Sequence, residues 1–88
     1  MARFYFHLKD GDRVIKDSEG SNLADTEQAR NEGLIAAREL VAAAIRAGKQ
    51  PPVEALIVAD GKGAEIMVVR LAEVIPTGFG RTNRLFVD

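Results

Sequence analysis

The chain has 88 residues, and its 12 Lys plus Arg against 13 Asp plus Glu give a formal net charge of −1. That length holds one small domain, and the charge balance excludes a strong electrostatic grip of the whole surface on nucleic acid or acidic lipid. Hydrophobic residues at 47% exclude a disordered chain, and the lack of Cys removes disulfides, thiolate metal sites and thiol nucleophiles together.

Residues 3–9 alternate: Phe4, Phe6 and Leu8 point one way, and Arg3, Tyr5, His7 and Lys9 the other. Period 2 with aromatics predicts a half-buried strand. Asp10-Gly11-Asp12 supplies turn chemistry, and residues 13–16, with Val14 and Ile15, return as a short second strand. Residues 17–22 are polar and contain Gly20, which predicts a loop, with Leu23 tucking back onto the core.

Asp25 followed three residues later by Gln28 is the signature of a capped helix start, and Glu27 suits the positive end of the dipole. Over residues 26–47, Ala29, Gly33, Ala37, Leu40, Val41 and Ala44 fall on one stripe. Gln28, Asn31, Glu32, Arg38, Glu39 and Arg46 fall on the other side, so the segment predicts an amphipathic helix. Gly48 suits its C-terminal end, and Pro51-Pro52 prevents continuation.

Two apolar runs, around Leu56-Ile57-Val58 and Ile66-Met67-Val68-Val69, flank the turn Asp60-Gly61-Lys62-Gly63 and predict a second hairpin. Both of its faces carry apolar residues, so either its strands are central or something covers the second face. Residues 71–75 add a short turn or extend the strand. The expected architecture is α+β, in the order β-β-α-β-β: one largely antiparallel sheet of about four strands with one long amphipathic helix packed on a face. Phe4, Phe6, Leu8, Leu40, Val41, Ile57 and Val68 are its expected core. Residues 1–75 make the single domain, and residues 76–88 a C-terminal tail, flexible or adding a strand through Leu85-Phe86-Val87.

The string Arg3-Phe4-Tyr5-Phe6-His7, then Asp10-Gly11, Asp17-x-Glu19-Gly20, Leu23-x-Asp25 and an Ala-rich helix resembles a family of short uncharacterised bacterial proteins, rhizobial in type, that open R-Y-F-F-H-x-x-D-G. The likeness covers residues 2–75. It implies a fold and no activity, because the family is a domain of unknown function. A weaker fold-level likeness is to the HicB-type antitoxins, from which this chain departs in that the expected third strand before the helix is missing or compressed into residues 18–23, and that no DNA-binding tail domain is seen.

His7 is the only histidine, and as a general base it would need an orienting carboxylate such as Asp10, Asp17 or Glu19. Its plain alternative is a strand residue stacking beside Tyr5. Asp10, Asp12, Asp17 and Glu19 match no calcium-loop spacing, and Asp60-Gly61-Lys62-Gly63 matches no phosphate loop, so both read as turn chemistry. No cofactor or metal is expected. Residues 1–16 carry four basic and two acidic groups, and residues 17–32 one basic and five acidic, so the field is dipolar. That pattern suits a protein partner or a second copy of the chain at least as well as nucleic acid.

Ile35, flanked by Arg38, is an apolar residue on the helix's polar side. The candidate interaction surface is thus Arg3, Tyr5, His7, Lys9, Ile35 and Arg38. The expected role is a small non-enzymatic interaction or regulatory module that self-associates. The alternatives are an antitoxin-like protein that binds nucleic acid or neutralises a partner, and a small enzyme using His7. Lys9 and Asp10 interrupt the first apolar stretch before a secretory core forms, and no run approaches the ~20 apolar residues of a membrane span. A cytoplasmic location follows as the default expectation.

Overall fold

The computed structural model describes residues 1–75. The tail 76–88, with Leu85-Phe86-Val87, lies outside the described residues. Strands β1 (Ala2–Asp10), β2 (Arg13–Ile15) and β3 (Ser21–Leu23) precede helix α1 (Thr26–Ala47). Strands β4 (Ala55–Asp60) and β5 (Glu65–Arg70) follow, and a single 3-10 turn covers Leu71–Val74. The five strands form one antiparallel sheet in the order β2-β1-β4-β5, with β3 also paired to β1.

Both predicted hairpins are present, and the sheet gains one strand over the expected four. Residues 17–22 do not stay a loop throughout: Ser21, Asn22 and Leu23 pair with Phe4, Arg3 and Ala2. Three residues are too few to show a period, and Ser and Asn carry no strand propensity. The pairing is imposed by the open edge of β1, whose far end is left free because β2 covers only Leu8 to Asp10.

The helix spans the expected residues. Asp25 caps it, accepting the Gln28 N–H at 2.8 Å. The Gln28 side chain returns to the Ala24 N–H at 2.7 Å, one residue before the cap. Gly48 closes it at φ 67°. Ala29, Gly33, Ala37, Val41 and Ala44 are its buried stripe.

This stripe packs on one face of the sheet and divides the core in two. Phe4, Ala29, Leu56 and Val58 form one cluster. Ala37, Val41, Val53, Val69 and Leu71 form the other. Phe6, Leu8 and Leu40 pack against these clusters but are only partly buried. Val68 is not core: it is 48% exposed. It stands beside Ile57, and both point away from the helix, because Leu56, Val58, Met67 and Val69 take the helix side. β4 answers the question posed by the two-faced hairpin. It lies between β1 and β5, and Ala55 to Ala59 are all buried.

Candidate interaction surface

Alternation along β1 puts Phe4, Phe6 and Leu8 under the helix and Arg3, Tyr5, His7 and Lys9 on the opposite face of the sheet. Register extends that face across two more strands. Tyr5, His7 and Lys9 stand beside Ala59, Ile57 and Ala55 of β4. These in turn stand beside Glu65, Val68 and Arg70 of β5. Among the described residues, no element lies over this face.

The face has an apolar middle and charged ends. The Tyr5 and His7 rings stack, with centroids 6.1 Å apart and planes 17° from parallel. Ile57, between His7 of β1 and Val68 of β5, is 6% exposed. A shallow groove of about 360 Å3 runs past Lys9, Ala55, Ile57 and Val68 between Glu65 and Arg70. Lys9 pairs with Glu54 at 3.3 Å, and Glu54 also accepts the Gly11 N–H at 3.2 Å. Arg3 donates to the Asn22 side chain at 3.0 Å and to the Glu19 carbonyl. Two of the face's cations are therefore already held within the chain.

His7 is fixed from the sheet edge. Between β2 and β3 the edge of β1 has a gap at Phe6 and His7, and Asp17 fills it. The Phe6 N–H donates to the Asp17 carboxylate at 3.2 Å, and the Asp17 N–H donates to His7 Nδ1 at 3.1 Å. Glu19 and Gly20 also donate to that carboxylate, at 3.3 and 3.1 Å. Gly20 sits at φ 71°, and a Cβ there would come 2.8 Å from the Phe4 carbonyl oxygen and from the Tyr5 ring. Burial pushes the Asp17 carboxyl up, but the donations from Gly20, Phe6 and Glu19, with His7 nearby, outweigh it and hold the carboxyl below the usual carboxylate value. With Nδ1 accepting, the ring hydrogen belongs on Nε2. The Asp17 carboxylate thus serves the backbone N–H groups of Phe6, Glu19 and Gly20, while the Asp17 N–H holds the ring.

Ile35 and Arg38 lie elsewhere. Ile35 is 45% exposed on the helix side that faces away from the sheet, and Arg38 is exposed with it. The structure brings four of the six expected residues together and leaves these two on the other side of the domain. It adds Ile57, Glu65, Val68 and Arg70, which the sequence reading missed. An alternating β5 would have revealed the last three, but Ile66, Met67, Val68 and Val69 are apolar in succession.

Asp60 Oδ1 accepts from Lys62 N and Ala64 N, both at 2.9 Å, so the Gly-rich segment is a strand-to-strand turn. Among the described residues, no three His, Asp or Glu side chains gather as metal ligands, and no helix is long and apolar enough to cross a membrane.

A family model described as a domain of unknown function (DUF6894) matches residues 3–72. It accounts for the R-Y-F-F-H-type resemblance as an uncharacterised domain family, and supports neither a rhizobial origin nor the likeness to HicB-type antitoxins. No curated protein and no solved structure matches the chain.

Proposed function

The chain belongs to the DUF6894 family, and from that premise we propose that it is a small non-enzymatic interaction module that associates with a second copy of itself through the helix-free face of its sheet. The observation that carries this is Val68. A β-branched side chain 48% exposed at the middle of a strand, beside Ile57 and the Tyr5–His7 stack, forms an apolar strip with no helix over it. Ile35 and Ile45 are exposed too, but they stand singly, ten residues apart along the helix, as surface hydrophobics commonly do. A cytoplasmic location belongs to the same reading.

Sedimentation velocity or light scattering tests it. The wild-type chain should shift from monomer toward dimer with rising concentration, and Val68→Glu should stay monomeric with an unchanged fold. A clean wild-type monomer at tens of micromolar overturns the reading.

The nucleic-acid alternative draws on the same stack, because Tyr5 and His7 lie between Arg3 and Lys9 on one strand. The pairing of Lys9 with Glu54 and of Arg3 with Asn22 weighs against it, since a phosphate would have to compete for both. Salt-dependent binding of single-stranded oligonucleotides would revive it; no binding at low salt removes it.

A further inference from the structure

We infer that the second copy docks on this face about a two-fold axis running across the strands through the Ile57–Val68 row, so that Glu65 of each copy meets Arg70 of the other; the inference rests on the self-association proposed above. Register supplies the geometry. Val68 stands beside Ile57, Arg70 beside Ala55, and Glu65 beside Ala59. Glu65 and Arg70 therefore lie two β4 positions to either side of Val68, roughly 7 Å each way.

That symmetry does not come from sequence spacing, since Glu65 is three residues from Val68 and Arg70 two. The irregularity between Val58 and Ala59 creates it. In an unbroken ladder Ile66 would stand beside Ala59 on the open face. Instead Ile66 packs into the helix-side cluster, and Glu65 takes the outer position, exposed like Arg70. A bulge disturbs the ladder and re-aims a side chain. Here it places an acid at the mirror position of a base.

Rotation about the cross-strand axis lays Glu65 over Arg70 of the second copy and Arg70 over its Glu65, an isologous contact. It also brings Tyr5 toward Lys9 of the second copy, a cation over a ring face. Ile57 and Val68 meet their own counterparts at the axis. The competing two-fold, along the strands, sets Arg70 over Lys9, because these share one row with Ala55. Arg70 then meets a Lys9 already paired with Glu54, and Glu65 meets Tyr5, so neither Glu65–Arg70 pair forms and charge selects the first arrangement. Three strands of six residues cover roughly 15 by 20 Å, far less than the ~800 Å2 per partner of a standard interface. The dimer should be weak, dissociating in the micromolar range.

Sedimentation of the full chain with charge swaps tests the arrangement. Glu65→Arg and Arg70→Glu, each alone, should weaken the homodimer about tenfold, because each creates two like-charge pairs. The double variant should recover wild-type affinity, and an equimolar mixture of the two single variants should form a heterodimer of near wild-type affinity. Circular dichroism melts report that both variants fold. If Val68→Glu abolishes the dimer while Glu65→Arg does not weaken it, or if the mixture does not rescue, this arrangement is overturned and the open-face reading stands. If the wild-type chain is monomeric throughout, as it would be were the face covered by the chain's own residues, both fall.

Discussion

The backbone N–H of Asp17 donates to Nδ1 of His7 at 3.1 Å, while the Asp17 carboxylate accepts the N–H of the neighbouring Phe6 at 3.2 Å. One residue thus continues the edge of β1 across the gap between β2 and β3, and its second oxygen holds the turn at Glu19 and Gly20. Asp17→Ala leaves three backbone donors without this acceptor. We expect a loss of about 1–3 kcal/mol in urea unfolding. His7→Ala removes a single acceptor and should lose about 1 kcal/mol. A loss for His7→Ala larger than that for Asp17→Ala would mean that the ring, and not the carboxylate, organises this edge.

The same carboxylate gives stability a defined dependence on pH. Its folded pKa lies below the ordinary carboxylate value, so on acidification the unfolded chain takes up the proton first. The contribution is complete above about pH 5 and is lost progressively as pH falls past the unfolded value and through the folded one. Asp17→Asn should flatten the fall in stability between about pH 5 and pH 2, with little change in its slope at neutral pH. Denaturant midpoints of the two proteins across that range measure it; parallel curves would assign the acid sensitivity to other carboxylates.

Gly33 sits where the helix crosses the sheet. A Cβ added there would lie 2.7 Å from Val58 Cγ2 and 3.3 Å from Met67 Cε. Met67 can move, but Val58 is fully buried and stiff at χ1. On an exposed helix, Gly→Ala stabilises by up to about 1 kcal/mol. Here overpacking wins, and Gly33→Ala should destabilise by about 1–3 kcal/mol. A raised melting temperature would show that the helix can lift off β4 at no loss.

Helix α1 was readable in the sequence to the residue because its signals are local: a capping pair at one end, a glycine at the other, and a 3.6-residue stripe between. β1 was readable because its alternation runs unbroken. β3 was not, since its pairing answers a vacancy on β1 that only the folded edge presents. Half of the candidate surface was legible for the same reason as β1. Val68 and Arg70 were hidden by the unbroken apolar run from Ile66 to Val69, and Glu65 by the bulge, which changes which residues share a face without marking the sequence. Ile35 and Arg38 are legible as exposed from their place on the helix's polar side, and the helix carries them to the side of the domain opposite the β1 residues.

Val68 and Val69 are adjacent, similar in shape and assigned to opposite faces, 48% and 5% exposed. Replacing each with Thr swaps a methyl for a hydroxyl at nearly constant volume. At Val69 the hydroxyl enters the cluster of Ala37, Val41, Val53 and Leu71, and an unpaired buried hydroxyl costs about 1–3 kcal/mol. At Val68 the hydroxyl meets water, and dilute protein should change by less than about 0.5 kcal/mol. Concentration separates folding from association. Dimer formation stabilises the native state by mass action, so the wild-type melting temperature should rise with protein concentration. Val68→Thr should lower that slope without lowering the dilute-limit value, whereas Val69→Thr should lower the value at every concentration. A reversed pattern, with the larger dilute-solution loss at Val68, would mean that β5 has slipped its register by one residue, and the open face would then carry a different set of side chains.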